Sequence, residues 1–118
     1  MSDDKRLSHL LTYTTFHIGV YISLLTALIG VGIFETDINM ALLRYSAVCI
    51  LLAGFFGGTI GSNIPDAVDY GALQDKKLRV LFGYIEVATL QRCINLEHFF
   101  FWAGILPPAL VFIFTGKL

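Results

Sequence analysis

The three histidines of this chain are the side chains best suited to chemistry. His17 lies inside an apolar stretch, roughly 13 Å along a helix from Ser8. An ionisable side chain at such a depth is by default a functional hypothesis: a haem or metal ligand, a proton carrier or a hydrogen-bond donor to a quinone. A neutral imidazole bonded to a carbonyl or hydroxyl oxygen is the simpler alternative. We expect His9 and His98 near the same interface, so His17, His9 and His98 are the candidate residues for binding haem b or a quinone.

Carboxylates form a second group of candidates. Asp66 and Asp69 are three residues apart, and Glu86, Glu97 and His98 follow in the same polar part of the chain. Such a set could bind a metal and hydrolyse a substrate at a membrane surface, but a capped, solvated helix start explains the two aspartates more simply. Zinc-site spacing, a nucleophile elbow and a phosphate loop are all absent from the sequence. We therefore assign no catalytic or metal-binding residue, and an enzymatic activity has no support in the sequence.

Three long apolar stretches must position these side chains. They run from Leu7 to Phe34, from Tyr45 to Pro65 and from Phe99 to Gly116, and they contain no Asp, Glu, Lys or Arg. Each is close to or above the roughly 20 residues that a helix needs to cross a hydrocarbon core about 30 Å thick. The 118 residues leave no polar block for a soluble domain. We predict an all-α integral membrane protein with three transmembrane helices in one domain, residues 1–118.

The predicted helices cover about residues 8–34, 40–61 and 97–115. Ser8 is the expected cap of the first helix, and Pro65 prevents the second from continuing. Pro107 and Pro108 remove two backbone donors from the third helix and should kink it.

The connector between the second and third helices, residues 62–96, is too apolar for a disordered loop and too charged for a span. We expect it to be partly helical and to lie at the membrane interface. One short helix is predicted to start with Asn63 as its cap, and a second within residues 78–96.

Basic residues near the helix ends predict the orientation. Lys5 and Arg6 precede the first helix, and most other basic residues lie in the connector. We expect a bacterial inner-membrane location, with the N-terminus and connector in the cytoplasm and the C-terminus outside. Arg44 should reach the headgroups from the second helix, beside Glu35 and Asp37. The predicted interfacial charges are Arg44, Lys76, Lys77 and Arg79.

The second predicted helix contains two rows of small residues at intervals of four. Small residues let helix backbones approach closely, and this packing drives helix association in lipid. The partner is another helix of this chain, a second copy or a different membrane protein. The first row is Ala53, Gly57 and Gly61, and the second is Gly54, Gly58 and Ser62.

These observations favour a small inner-membrane protein that acts through helix association, as a subunit of a larger membrane complex or as a homo-oligomer. Its partners would be membrane lipid and other membrane-protein subunits or itself, and a net charge of −1 gives no indication of a nucleic-acid partner. A haem- or quinone-binding membrane anchor of a respiratory complex is one alternative. A pore-forming or holin-like effector is another, with hydroxyl groups lining the pore from Thr12, Thr15, Ser23 and Thr26.

Overall fold

The computed structural model describes residues 3–34, 39–64, 70–74, 77–80 and 85–116. Three long helices dominate this part of the chain, and each is long and apolar enough to cross a membrane. A short helix and a two-stranded antiparallel sheet lie between the second and third of them. The elements in chain order are α1 (Asp3–Phe34), α2 (Met40–Asn63), α3 (Tyr70–Gln74), β1 (Lys77–Val80), β2 (Ile85–Thr89) and α4 (Leu90–Thr115).

Helix α2 packs against both other long helices, with α1 on one side and α4 on another. Gly61 faces Thr14 of α1, whereas Gly32 faces Leu43, so α1 and α2 run in opposite directions. The first turns of α1 and of α4 line one cleft, so these two helices run in the same direction. The chain therefore passes up, down and up, and its N-terminal end lies at the same end of the bundle as the connector.

The connector is packed onto the bundle by apolar side chains. Leu73 of α3 and Leu78 of β1 are both 0% exposed, and they belong to one buried cluster with Leu10, Ile60 and Leu90. The burial of Leu73 and Leu78 explains why the connector is too apolar for a disordered loop. A second buried cluster, further along the bundle, contains Tyr21, Ile50 and Ala53.

The predicted second connector helix is wrong over residues 78–80 and 85–89, which form β1 and β2. The sequence of β2, Ile-Glu-Val-Ala-Thr, has three β-branched residues in five, and such residues favour strands. Helix α4 starts at Leu90 instead of about residue 97, because Thr89 caps it by accepting a hydrogen bond from the Arg92 N–H at 3.4 Å.

Asn63 is the last residue of α2 and not the cap of a following helix. Its side-chain amide donates to the carbonyl oxygen of Arg79 at 2.8 Å and accepts from the Arg79 N–H at 3.2 Å. The amide thereby satisfies both backbone groups of a residue in β1. The end of α2 is thus joined directly to the hairpin.

The other helix ends differ less from the prediction. Helix α1 begins at Asp3, so Ser8 lies inside it, and the Ser8 carbonyl accepts the Thr12 hydroxyl at 3.0 Å. Helix α4 contains Pro107 and Pro108 and ends at Gly116, whose φ of 75° is the left-handed conformation that glycine adopts at helix ends.

Several predictions fall outside the described residues. They include the acidic loop beside Arg44 and the paired carboxylates of the connector. The residues concerned are Glu35, Asp37, Pro65, Asp66, Asp69 and Lys76.

Candidate functional site

A carboxyl group lies in the interior of the bundle. Glu97 is 0% exposed, and because α4 starts at Leu90 it lies about two turns inside the helix. Its Oε1 accepts a hydrogen bond from the Tyr21 hydroxyl of α1 at 2.7 Å. Its Oε2 is buried and has no hydrogen-bond partner among the described residues. Glu97 is therefore a bundle residue instead of a residue of the solvated connector.

One face of α1 presents the aromatic and imidazole rings that surround this carboxyl group. Tyr13, His17 and Tyr21 are spaced by four, which places them on the same side of a helix. The ring centroids of Tyr13 and His17 are 3.9 Å apart. Nδ1 of His17 lies 2.7 Å from the Tyr13 carbonyl oxygen. Because a carbonyl oxygen only accepts, Nδ1 is the protonated nitrogen that donates this bond.

Tyr13 also contacts the histidine of α4. Its hydroxyl oxygen is 2.5 Å from Nε2 of His98, and the His17 and His98 ring centroids are 6.1 Å apart. The tyrosine thus contacts two of the three histidines that the sequence identified. In a neutral pair, either the hydroxyl or the imidazole N–H donates this bond.

All three candidate histidines are in or beside one cleft, of about 550 Å³, at the connector end of the bundle. His9 and His98 line it, and His17 lies next to Tyr13 in its wall. The cleft has aliphatic walls, two tyrosine rings and several hydrogen-bonding groups, a combination typical of sites for small organic ligands. Its lining residues are Arg6, His9, Leu10, Tyr13, Tyr70, Gln74, Ile94 and His98.

Arg6 extends the cleft with a positive charge. Its guanidinium carbon lies 5.7 Å from the centre of the Tyr70 ring, within the range of a cation–π contact. This contact joins the start of α1 to α3. His98 also lines a second groove of about 550 Å³, which it shares with Trp102 of α4.

The first row of small residues in α2 is occupied by contacts within the chain. A Cβ added to Gly57 would lie 3.5 Å from the carboxyl carbon of Glu97, and one added to Gly61 would lie 3.2 Å from Cγ2 of Thr14. Ala53 is 0% exposed. A Cβ at Gly57 would therefore be in ordinary van der Waals contact with the carboxyl group of Glu97, and a larger side chain would reach into its space.

The second row is only partly covered. A Cβ at Gly54 would lie 4.0 Å from Cβ of Tyr21, whereas one at Gly58 would meet nothing within 4 Å. Ser62 is exposed, and its hydroxyl donates to the Thr59 carbonyl oxygen of its own helix at 3.1 Å. The two rows therefore have different environments.

Thr14 provides a second buried polar atom near this row. The residue is 1% exposed, and its Oγ1, like Oε2 of Glu97, has no hydrogen-bond partner among the described residues. Buried polar groups without a partner are uncommon, and where they occur a water molecule, an ion or a chemical role commonly explains them. Glu97 and Thr14 thus place two unpartnered polar atoms on the side of α1 and α4 that faces the glycines of α2.

The predicted interfacial charges do not form one site. Arg79 forms an ion pair with Glu86 at 2.7 Å, and both border a polar depression that Lys77 and Asn63 complete. Arg44 is exposed near the start of α2, at the opposite end of the bundle.

Comparisons of the chain with protein-family models, with curated proteins and with solved structures gave no match. The function is therefore argued from geometry alone. Sequence reasoning found His9, His17 and His98 but missed Tyr13, Tyr21 and the buried position of Glu97. The spacing of Tyr13, His17 and Tyr21 by four was a signal in the sequence that would have identified one polar face of α1.

Proposed function

We propose that this chain is an integral membrane protein whose three long helices span a bilayer, and that its cleft binds the headgroup of a quinone. The outward surface supports the first part. Phe16, Leu51 and Ile113, one from each long helix, are 66%, 61% and 70% exposed. Large apolar side chains on every outward face are costly in water and favourable in lipid.

The orientation follows from the basic residues at one end of the bundle. Lys5 and Arg6 at the start of α1 and Lys77 and Arg79 in the hairpin lie at the connector end. The positive-inside rule places this end in the cytoplasm. In a bacterium the membrane is then the inner membrane.

The hydrogen bond between Tyr13 and His98 in the wall of the cleft is the observation that carries the ligand proposal. A quinone headgroup is a flat ring with two carbonyl oxygens that accept hydrogen bonds. The bonded pair of Tyr13 and His98 keeps one donor free, either the Tyr13 hydroxyl or Nδ1–H of His98, and Arg6 and Gln74 offer donors elsewhere in the lining of the cleft. Tyr70 provides an aromatic surface for the ring. The aliphatic walls suit the apolar remainder of such a ligand.

The same contacts favour a quinone over haem b. Haem iron needs an imidazole nitrogen with a free lone pair. Nε2 of His98 is occupied by the Tyr13 hydroxyl, and the Tyr13 ring lies against His17. Ligation of one iron by His17 together with Nε2 of His98 would have to displace this tyrosine. A quinone instead can accept hydrogen bonds from these groups without displacing a side chain.

The test is a titration of the purified protein with a short-tailed benzoquinone and a short-tailed naphthoquinone. Trp102 is the one tryptophan of the chain, and it shares a groove with His98, so quenching of its fluorescence reports binding. Each lost hydrogen bond is worth about 1 to 1.5 kcal/mol, so His98→Ala and Tyr13→Phe should weaken binding about tenfold.

The matched control is Thr26→Val, which removes a hydroxyl from α1 outside the cleft, where Thr26 bonds to the Ile22 carbonyl oxygen at 2.8 Å. This variant should bind like the wild type. The absence of saturable binding for both quinones, or equal binding by all three variants, would contradict the proposal.

Helix association, within a larger membrane complex or a homo-oligomer, is the second candidate function. The open surfaces at Gly19 and Gly58, where an added Cβ would meet nothing within 4 Å, favour it. Such positions on α1 and α2 let a further helix approach closely. Gly58→Leu should lower the oligomer mass of the protein extracted in mild detergent. An unchanged mass, or a strictly monomeric wild type with no co-purifying partner, would argue against association.

The pore-forming alternative gains no comparable support. Thr12 and Thr26 donate their hydroxyls to carbonyl oxygens of their own helix, at 3.0 and 2.8 Å. A hydroxyl bonded in this way is compatible with lipid as well as with water.

A further inference from the structure

We propose that Glu97 is a proton-binding site inside the helix bundle. Its carboxyl group holds a proton as a neutral acid in the closed bundle. It releases the proton when water enters from the cleft that His9, Tyr13 and His98 line. This inference goes beyond ligand binding and does not depend on which molecule occupies the cleft.

Burial is the first argument. Glu97 is 0% exposed, and among the described residues no Lys or Arg forms an ion pair with it. An ionised carboxylate in an apolar interior is strongly unfavourable unless a cation pairs with it, and such a group neutralises instead. The ion pair between Arg79 and Glu86 illustrates the alternative, because both of its side chains are about half exposed.

The hydrogen bonds of the carboxyl group are the second argument. The Tyr21 hydroxyl donates to Oε1, which satisfies that oxygen in either protonation state. Oε2 has no partner in the described part of the protein. As part of a carboxylate it would bear negative charge without a donor, whereas as the hydroxyl of an acid it leaves one neutral O–H group unmatched, which costs less than an unpaired buried charge. The geometry thus favours the neutral acid.

The elements packed around Glu97 define the titratable groups that it faces. Helix α1 contributes Tyr13 and Tyr21, and α4 contributes Cys93 and the neighbouring His98. Helix α2 contributes Gly57, which is not titratable. None of these groups bears a fixed positive charge, so a release of the proton leaves an unpaired negative charge in the bundle.

Release therefore has to be linked to an opening. When the proton leaves, the O–H bond of the carboxyl group breaks, and either water in the cleft or an imidazole nitrogen of His98 accepts the proton. Glu97 then has a charge of −1, which water or the protonated imidazole stabilises. His98 follows Glu97 in the chain and lines the cleft, so the acceptor and the water lie on the same side. Chains of Glu and His residues commonly transfer protons within membrane proteins.

A hydrophobic carbodiimide tests the proposal on the wild-type protein in membranes. The reagent needs a carboxylic acid: the proton moves to one carbodiimide nitrogen, and the carboxyl oxygen bonds to the central carbon. The adduct therefore has the summed mass of both molecules. Mass spectrometry should find this adduct on Glu97 at neutral pH, with less labelling as the pH rises. Glu86 is the internal control, because its side chain is about half exposed and forms an ion pair with Arg79, so we expect little adduct there.

Infrared spectroscopy provides a second measurement that does not depend on access of the reagent. The wild type should show the C=O band of a protonated carboxylic acid at neutral pH. The band should shift when the glutamates are labelled with ¹³C, and it should be lost in Glu97→Gln. An acid band without a carbodiimide adduct still supports the proposal. The proposal would be overturned if the wild type and the ¹³C-labelled protein showed only carboxylate bands at neutral pH and no acid band.

Discussion

The hydroxyl of Tyr21 donates a hydrogen bond of 2.7 Å to Oε1 of Glu97, and the two side chains are 1% and 0% exposed. This bond joins α1 to α4, two helices whose backbones each approach α2 more closely than they approach each other. The interior of the bundle therefore contains a specific polar connection in addition to apolar packing. Because both side chains are buried, a single substitution at either one should change the stability of the bundle.

Tyr21→Phe should destabilise the bundle by about 1–3 kcal/mol, because it leaves a buried carboxyl oxygen without its donor. The free energy of unfolding can be measured in mixed detergent micelles from the fluorescence of Trp102. Ser23→Ala is the control, since it removes an exposed hydroxyl from the same helix. Equal stabilities of the two variants would show that the bond between Tyr21 and Glu97 contributes nothing.

Gly104→Ala should be destabilising, whereas Gly57→Ala should be tolerated. A Cβ at Gly104 would lie 2.9 Å from Cβ of Cys49 and 3.2 Å from the Ser46 carbonyl oxygen, so α2 and α4 would have to separate. Overpacking of this kind costs about 1–3 kcal/mol. At Gly57 the nearest atoms would be 3.5 Å away, an ordinary contact distance.

Thermal unfolding in detergent distinguishes these two alanine variants, which make the same chemical change. We expect Gly104→Ala to melt at a lower temperature than Gly57→Ala. If Gly57→Ala melted at the lower temperature, the close approach of α2 to α4 at Gly104 would not be what limits the stability of the bundle. Gly57→Leu tests the same position with a larger side chain, which would meet Glu97 and Ile18.

The long helices were predictable because their signal comes from the summed transfer energy of many residues. A stretch such as 7–34 without a charged side chain needs no tertiary information. The start of α4 was less predictable because it depends on one capping bond at Thr89. As a result, Glu97 was assigned to the edge of a polar connector instead of the bundle interior.

The hairpin and the cluster around Tyr13 could not be predicted for a different reason. The strands β1 and β2 have four and five residues, too few for periodicity to distinguish them from a helix. The contact of Tyr13 with His98 joins residues 85 positions apart, so it depends on how the helices are arranged in space. His17 was nevertheless identifiable, because an ionisable residue in an apolar stretch is unusual wherever its partner lies.

His17 should bear a hydrogen on Nδ1. The reason is that Nδ1 lies 2.7 Å from the Tyr13 carbonyl oxygen, which can only accept. Solid-state NMR of the protein with ¹⁵N-labelled histidine in lipid distinguishes protonated from unprotonated ring nitrogens. A resonance of His17 with an unprotonated Nδ1 would contradict this geometry. The assignment follows from the difference spectrum between the wild type and His17→Gln.

Asn63→Ala should loosen the hairpin, whereas Glu86→Gln should have little effect. The Asn63 amide bonds to both the N–H and the C=O of Arg79, at 3.2 and 2.8 Å, so its loss separates β1 from the end of α2. The ion pair of Glu86 with Arg79 is about half exposed, and such pairs contribute at most about 1 kcal/mol. Hydrogen exchange of the β1 and β2 amides measures the difference: we expect faster exchange in Asn63→Ala alone. Faster exchange in Glu86→Gln than in Asn63→Ala would mean that the ion pair, and not the amide, holds the connector against the bundle.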